Sequence, residues 1–339
     1  MNDALVGLLL TLVGGMIGST TLMPIKYVRA WKWENTWLVY SAFAYLILPW
    51  ILAFATVPHL LSLYTGVQGK AVLQALLFGL AWGVGVVLYG YVLDIVGLSI
   101  SSGIILGTSV ALGSLIPLLL ISGVHSLGGS GRRILAADGI MIVGVLLCAH
   151  AGGLRQKAAQ AQQVRKHDAR FFKGLCLAFV AGLLSPLLNV AFTLGAPITQ
   201  RALESGVQPF NASNGVWALA VGAGSLPSIA FCVLKLYRKG GWNSYSVPYA
   251  RFNFLLCVAM GSCFIVSTIC YGAAAGRMGL LGPVIGWPIY ISALILGNNF
   301  WGWYTLEWKG IAGRPVWTMQ AGILLQIVAM VLLGLANQT

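Results

Sequence analysis

Charge is scarce in this chain, and negative charge is the scarcest. Of 339 residues, seven are Asp or Glu and 20 are Lys or Arg, so charged residues make up 8% of the chain. A typical soluble domain has about 25%, and a soluble protein could not cover its surface with so few charges. The composition therefore argues against a soluble enzyme and predicts an integral membrane protein.

Motifs of energy-coupled or hydrolytic enzymes are missing as well. The sequence has no G-x-x-x-x-G-K-[ST] loop, no zinc-protease motif and no nucleophile elbow, which argues against ATP-driven transport by this chain alone and against an enzyme. Its six cysteines lie in apolar runs without a C-x-x-C pair, so neither a disulfide nor a zinc site is expected. We predict no catalytic residue, no metal and no cofactor.

Long apolar runs are what the sequence has instead. Each is about 18–25 residues long, the length that a helix needs to cross a hydrocarbon core roughly 30 Å thick. Backbone amides in lipid must be satisfied within the segment, so the runs are predicted to be helices. The run that starts at residue 4 is too long for a signal-peptide core. Ten spans are predicted, at about 4–26, 35–57, 71–93, 98–121, 134–151, 172–197, 215–237, 252–273, 280–303 and 316–336.

The net charge of +13 lies in short loops between the spans, a membrane-protein pattern and not that of a nucleic-acid binder. The odd-numbered loops hold 15 of the Lys and Arg residues and the even-numbered loops hold five. Because positive loops stay in the cytoplasm, this count predicts that both termini are periplasmic in a bacterial inner membrane protein.

The basic stretch 154–171 divides the chain into two five-span blocks, 1–153 and 172–339. With five spans in each block, two homologous blocks must have opposite orientations in the membrane. Short sequence echoes support this: Gly-Arg-Arg at 131–133 and Gly-Arg-Pro at 313–315 open spans 5 and 10, and Pro24 and Pro197 close spans 1 and 6. The predicted fold is all-α, with two inverted five-helix repeats, a common plan of secondary transporters.

Candidate site residues are mostly neutral. Ser185, Asn189 and Thr193 share one face of span 6 at i, i+4, i+8 spacing. Further aromatic and amide residues lie within spans 3, 8 and 9, namely Trp82, Tyr89, Tyr271, Trp287, Tyr290, Asn298 and Asn299. An asparagine is costly against lipid, so these amides are expected to face protein or a wet cavity. Hydrogen bonding between helices without any ligand remains the alternative interpretation.

Aromatic planes beside amide and hydroxyl groups, with no fixed charge, describe a site for a neutral polyhydroxylated ligand. An anionic ligand would need a Lys or Arg at mid-depth, and a cationic drug would need a carboxylate there. Asp94 and Asp138 are the acids nearest the membrane interior and the candidate proton carriers.

Two sequence patterns predict local backbone features. Pro283 and Pro288 predict a kinked or locally unwound start of span 9. Glycine pairs spaced by four residues, at 14/18, 79/83, 103/107 and 282/286, predict close helix approaches.

Three sequence blocks resemble the bacterial L-rhamnose–proton symporter family. The first is Trp-Lys-Trp-Glu-Asn-Thr-Trp at 31–37, followed by Leu-Pro-Trp at 48–50. The second begins with Phe78-Gly79, includes Trp82 and Tyr89 and continues to Gly113. The third is Glu307-Trp308 followed by Gly-Arg-Pro-Val at 313–316.

The resemblance implies a drug/metabolite transporter fold with a central cavity that opens alternately to the two sides. It also implies uptake of a 6-deoxyhexose with protons, with Trp82, Tyr89 and Trp287 lining the cavity. The expected partners are a sugar, L-rhamnose or a related 6-deoxyhexose, a proton and the lipid bilayer, with the chain a monomer or homodimer. A metabolite or drug exporter or an uncoupled facilitator of the same superfamily is the alternative, and a non-transporting membrane protein is a third class.

Overall fold

The protein is helical throughout the residues that the computed structural model describes, which are 3–96, 98–122, 129–159 and 169–336. The α-helices are α1 (Asp3–Thr20), α2 (Trp33–Ser41), α3 (Leu48–Thr56), α4 (Leu60–Thr65), α5 (Gly69–Val96), α6 (Leu98–Ser122), α7 (Gly129–Ala159), α8 (Ala169–Leu184), α9 (Leu187–Leu194), α10 (Ala196–Glu204), α11 (Asn214–Lys239), α12 (Ala250–Arg277), α13 (Gly282–Tyr304) and α14 (Arg314–Ala336). Three 3₁₀ segments (Met23–Tyr27, Trp242–Ser246 and Gly279–Leu281) and one π-helical segment (Ala42–Ile47) complete the described secondary structure.

Ten helical stretches within the described residues are long and apolar enough to cross a membrane, which confirms the all-α, ten-span class. They are span 1 (Asp3–Tyr27), span 2 (Trp33–Thr56), span 3 (Gly69–Val92), span 4 (Ser101–Ile121), span 5 (Gly131–Arg155), span 6 (Phe171–Glu204), span 7 (Asn214–Lys239), span 8 (Ala250–Arg277), span 9 (Gly279–Tyr304) and span 10 (Arg314–Ala336). The observed ends mostly lie within a few residues of the predicted ones, and span 6 extends further because α10 continues it.

Spans 2 and 6 have irregular backbones within their length, and span 1 ends in a turn and the 3₁₀ segment around Pro24. Span 6 is interrupted by a turn at Ser185 and Pro186, between α8 and α9, and again at Gly195 before α10. Span 2 contains the π-helical segment, a feature that often occurs at functional sites. The predicted unwinding of span 9 is wrong, because α13 is continuous from Gly282. Pro283 lies in the first helical turn, where the missing amide hydrogen would have no partner anyway.

The packing order of the helices differs from their order along the chain. Span 1 packs on spans 8 and 9, and span 6 packs on spans 3 and 4. Span 3 also packs on span 7, and span 8 on span 2. Spans 5 and 10 lie against each other along much of their length, and span 4 contacts spans 5 and 9. Spans 4, 6, 8 and 9 therefore meet in the interior.

Glycines allow several of these helices to approach closely, as predicted. A Cβ atom at Gly83 in span 3 would lie 2.2 Å from the carbonyl oxygen of Gly224 in span 7. A Cβ atom at Gly14 in span 1 would lie 3.1 Å from the Ser267 carbonyl of span 8. Such contacts bring helix backbones together without a hydrophobic force between them, as membrane helices require.

Ion pairs join the odd-numbered loops at one face of the bundle. Glu307, just beyond span 9, pairs with Lys26 at the end of span 1 and with Arg155 at the end of span 5, the latter at 2.6 Å. Lys235, near the end of span 7, lies 3.6 Å from Glu34 at the start of span 2. These contacts place the basic loops on a common side.

Glu307 is expected to stabilise the fold near neutral pH. Burial raises the pKa of its carboxyl, but the hydrogen bond from Lys26 and the charge of Arg155 outweigh this, so the pKa lies below its ordinary value. A lowered folded-state pKa contributes stability above the unfolded pKa of about 4.3, and this contribution is lost as the pH falls through the folded value. Glu307→Gln should therefore melt below wild type at pH 7, and the two melting temperatures should converge under acid conditions.

Thermal unfolding of detergent-solubilised protein at several pH values measures this effect. Glu204→Gln is the matched control, because the contacts of Glu204 are exposed: an i,i+3 pair with Arg201 at 3.6 Å and a hydrogen bond from Gln200 Nε2 at 3.3 Å. Exposed pairs of this kind contribute little, so the control should melt like wild type at every pH. Equal melting of Glu307→Gln and wild type at pH 7 would contradict the prediction.

Candidate functional site

Five aromatic rings from spans 6, 7, 8 and 9 form a cluster in the bundle interior. We call this the ring cluster, and its members are Phe192, Trp217, Tyr271, Trp287 and Tyr290. Phe192 and Trp217 stack with their centroids 4.8 Å apart, while Tyr271 lies 5.5 Å from Trp287 and 5.2 Å from Tyr290. These separations are typical of favourable aromatic pairs.

Asn189 ties the ring cluster to the neighbouring backbones. Its Nδ2 donates to the carbonyl oxygens of Gly113 at 2.8 Å and Pro283 at 2.9 Å, and its Oδ1 accepts from the Tyr271 hydroxyl at 2.5 Å. One fully buried amide thereby joins spans 4, 6, 8 and 9. Because α9 starts only after the turn at Ser185 and Pro186, Asn189 lies in the first turn of the restarted helix.

Serine hydroxyls continue the polar contacts along span 4. Ser185 Oγ donates to Ser109 Oγ at 3.2 Å. The Trp287 indole Nε1 donates to the Ser109 carbonyl at 3.1 Å and lies 3.3 Å from its Oγ. Tyr290 pairs with Ser267 at 2.8 Å, and Ser267 donates to the Gly14 carbonyl at 2.6 Å. The structure thus brings together five of the predicted residues: Ser185, Asn189, Tyr271, Trp287 and Tyr290.

Trp82 belongs to a second group of rings nearby. Its ring centroid lies 5.3 Å from that of Tyr45 and 6.3 Å from that of Phe264, on spans 2 and 8. Tyr45 lies directly at the π-helical segment of span 2, and its hydroxyl lies 3.3 Å from that of Tyr40. Span 2 therefore contributes buried hydroxyls that sequence reasoning did not select.

The remaining predicted residues lie elsewhere. Tyr89 pairs with Ser102 at 3.1 Å, where spans 3 and 4 begin to separate. Asn298 is exposed, and Asn299 donates to the Ile295 carbonyl of its own helix at 3.0 Å. Asp138 is buried in span 5. The side chain of Asp94 lies outside the part of the structure that is described.

Sequence reasoning missed Phe192, Trp217 and Ser109. Trp217 lies only three residues into span 7 and is 1% exposed. A tryptophan so close to the end of a span is typical of the membrane interface. Only the packing of Phe192 and Tyr271 against Trp217 shows that its ring points into the bundle. Trp37, near the start of span 2, is also buried, with 6% of it exposed, and stacks on Trp33. Ser109 carried a weak signal, because serines recur along span 4.

The chemistry of the ring cluster is neutral and rich in hydrogen-bonding groups. The Trp217 Nε1 and the nearby Ser213 Oγ are buried and have no hydrogen-bond partner within the described chain. Such groups are rare in native interiors and call for an explanation, of which a ligand is one. The described residues contain no group of three His, Cys, Asp or Glu side chains that could hold a metal ion.

The ring cluster is closed in this structure, since Asn189, Tyr271 and Trp287 are 0%, 1% and 5% exposed. A groove of about 730 Å³ lies on the outer surface of span 2, along residues from Leu46 to Ala55. A second, of about 560 Å³, lies between spans 2 and 8 near Trp31 and Arg251. Neither groove is lined by a predicted site residue.

Comparison with known proteins gives a family for the whole chain. Residues 1–339 match the family model described as L-rhamnose-proton symport protein. A protein of Cronobacter sakazakii named L-rhamnose-proton symporter is 28% identical over 345 residues, covering 100% of this chain and 99% of the relative. Proteins of the same name from Salmonella gallinarum and Escherichia coli O1:K1 are each 26% identical and cover 98% and 99% of this chain, with the same shares of the relatives.

The match extends from the first residue to the last and includes all ten spans, so the likeness is not confined to a single motif. The chain is a multi-pass membrane protein and belongs to the L-rhamnose-proton symport protein family.

Proposed function

We propose that this protein is a secondary transporter that takes up L-rhamnose, or a related 6-deoxyhexose, together with protons. The observation that carries the proposal is the ring cluster around Asn189, buried where spans 4, 6, 8 and 9 meet and free of charged side chains. The relatives' name and this neutral interior agree with each other. A 6-deoxyhexose has no charge to neutralise.

The ring cluster suits such a sugar. The C–H faces and the methyl group of a 6-deoxyhexose are apolar and can lie on Trp287, Tyr271 and Trp217. The sugar hydroxyls can accept from the unpaired Trp217 Nε1–H and replace internal partners of Asn189 and Ser185. Discrimination between sugars then follows from which buried polar groups remain unpaired. Trp82, with Tyr45 and Tyr40, is proposed to extend the sugar pathway from the ring cluster toward the face of the bundle that carries the odd-numbered loops.

The packing supports two inverted repeats, 1–153 and 172–339, joined by 154–171. Exchanging each span with the one five places away maps the main contacts between spans onto one another. The contact between spans 1 and 8 then corresponds to the contact between spans 6 and 3. In the same way, the contact between spans 1 and 9 corresponds to that between spans 6 and 4, and the contact between spans 3 and 7 to that between spans 8 and 2. The exchange leaves three contacts unchanged, namely those between spans 5 and 10, spans 4 and 9, and spans 2 and 7. The helix interruptions at Pro24 and Pro197 correspond as well.

Alternating access is proposed to follow from this symmetry. The closed ring cluster corresponds to a state in which Asn189 holds four spans together. Opening toward either side separates these spans and frees the amide for a sugar. We propose that the basic odd-numbered loops, which the ion pairs of Glu307 and Glu34 join, face the cytoplasm of a bacterial inner membrane. Both termini are then periplasmic, and the transport unit is one chain, alone or as a homodimer.

Uptake by proteoliposomes tests the proposal. With the outside more acidic than the inside, labelled L-rhamnose should accumulate above its outside concentration. A protonophore should reduce this accumulation to simple equilibration, and L-rhamnose should compete better than neutral hexoses that have a 6-hydroxyl. Equilibration that ignores the pH gradient would favour an uncoupled facilitator. No saturable L-rhamnose uptake would contradict the proposal.

A further inference from the structure

Asp138 differs from the other acidic residues whose side chains the structure describes. Glu34, Glu204 and Glu307 each pair with a basic side chain, and Asp3 is exposed at the start of span 1. Asp138 lies seven residues into span 5, which corresponds to a depth of roughly 10 Å along the helix, and it is 3% exposed. An ionisable side chain at such a depth is a candidate functional group.

The carboxyl group of Asp138 forms no ion pair with any residue that the structure describes. Neither oxygen forms a hydrogen bond of good geometry with any described residue. The hydroxyl of Ser114 in span 4, which is itself buried, is the polar group that interacts with this carboxyl group. Burial without a compensating charge disfavours the ionised form of such a carboxylate.

The helices packed against span 5 add no compensating charge. They are spans 4, 9 and 10. Span 4 contains no ionisable side chain, and span 9 contains only Tyr290 and Tyr304. Span 10 contains only Arg314, which lies at the far end, since Gly144 of span 5 faces Gly322 in an antiparallel contact. On span 5 itself, Arg132 and Arg133 are exposed one and a half turns away, while Cys148, His150 and Arg155 lie beyond.

A short physical connection leads from Asp138 to the ring cluster. Ser114 follows Gly113, and the Gly113 carbonyl accepts the hydrogen bond from Asn189 Nδ2 at 2.8 Å. The Trp287 ring rests directly on Gly113, where an added Cβ atom would lie 2.1 Å from its Cδ1. A shift of span 4 at Ser114 must therefore move both the partner of Asn189 and the surface under Trp287.

We propose that Asp138 is the residue that binds the coupling proton, and that span 4 transmits its protonation state to the ring cluster. The inference rests on the proposed function. One proton from water on the acidic side adds to a carboxylate oxygen, and the neutral acid fits the buried, uncharged contact between spans 4 and 5. The ring cluster closes only while the acid is neutral. Release of the same proton to water on the other side requires that contact to open, which links proton movement to the conformational change.

Two transport assays on Asp138→Asn separate coupling from sugar binding. In counterflow, vesicles preloaded with unlabelled L-rhamnose exchange it for labelled sugar without a pH gradient, so no net proton movement is needed. The asparagine mimics the neutral acid, so the variant should retain counterflow but accumulate sugar no further than the outside concentration when a pH gradient is applied. Asp138→Glu should restore gradient-driven accumulation with a shifted pH dependence. Glu204→Gln, at the exposed pair with Arg201, should behave like wild type in both assays.

A spectroscopic measurement tests the proton site without any sugar. Infrared difference spectra of the purified protein between acidic and alkaline pH should show the C=O stretching band of a buried carboxylic acid. That band should be absent from Asp138→Asn and present in Glu204→Gln. Gel filtration of each variant shows whether it is folded.

Three outcomes would overturn the assignment. One is wild-type accumulation by Asp138→Asn under a pH gradient. Another is an unchanged carboxylic acid band in that variant. The third is equal loss of counterflow and accumulation in a folded Asp138→Asn protein. If wild type itself transports no L-rhamnose, the proposed function fails, whereas the infrared band still decides whether Asp138 is the proton site.

Discussion

Replacing Asn189 with alanine is expected to abolish L-rhamnose uptake and to lower the melting temperature of the purified protein. The change removes three hydrogen bonds and leaves the Gly113 carbonyl and the Tyr271 hydroxyl without this partner in a fully buried site. The Gly113 carbonyl has no helical partner to replace it, because Pro117 four residues on has no N–H. A hydrogen bond between membrane helices contributes about 0.6 kcal/mol on average, and a stranded buried polar group can cost 1–3 kcal/mol. The expected loss of stability is therefore about 2–4 kcal/mol.

Tyr271→Phe separates the contribution of the Asn189 amide oxygen from that of its amide nitrogen. This variant removes only the hydroxyl that donates to Asn189 Oδ1 and preserves both bonds from Nδ2. Its loss of stability should be a fraction of that of Asn189→Ala, with reduced uptake. The matched control is Asn243→Ala, since Asn243 is exposed in the Trp242–Ser246 segment. Wild-type uptake and melting in Asn189→Ala would show that Asn189 neither joins the helices nor binds the sugar.

Replacing Gly83 with alanine is expected to prevent correct folding or to reduce the yield of monodisperse protein severely. The added Cβ atom would lie 2.2 Å from the Gly224 carbonyl oxygen and 2.6 Å from its Cα. Both atoms belong to the backbone of span 7, so no side-chain rotation can relieve the clash. Spans 3 and 7 would have to separate, and the contact between Trp82 and Gly224 would open with them.

Helix propensity and the observed packing predict opposite changes in stability for Gly83→Ala. Alanine is normally favoured over glycine in a helix interior by about 0.8–1.0 kcal/mol, so propensity alone would make Gly83→Ala stabilising. Gly276→Ala tests the same exchange where a Cβ atom meets nothing within 4 Å. Yield, gel-filtration profile and melting temperature should match or exceed wild type for Gly276→Ala and collapse for Gly83→Ala. Similar behaviour of the two variants would contradict the observed packing of spans 3 and 7.

Much of the fold was accessible from composition because lipid allows few choices. Apolar runs of helical length in a chain with 8% charged residues must be membrane helices. The glycine pairs 14/18 and 79/83 indicated close approaches correctly, although not which helix faces which, whereas a Cβ atom at Gly107 would meet nothing nearer than 3.9 Å. The error at span 9 has a simple cause: Pro283 was read as a helix breaker, whereas in the first turn of α13 it costs no hydrogen bond.

The candidate site was accessible only in part. Buried amides and mid-span rings were recognisable, so Asn189, Tyr271 and Trp287 were selected from the sequence, and the structure brings them together. Asn298, like Asn189, lies within an apolar span, but its side chain is exposed. Which side of a uniformly apolar helix faces protein depends on its neighbours, because lipid and protein interior differ little in polarity.

The sequence by itself determined that this protein resides in a lipid bilayer, how many spans it has and that its interior is mostly uncharged. These properties depend on the length and charge of local segments. Only the tertiary structure decided that one amide joins spans 4, 6, 8 and 9, that Trp217 turns inward and that Asp138 is buried without an ion pair to a described residue. Contacts between residues 76 to 94 positions apart create the site around Asn189. No local pattern of hydrophobicity contains that information.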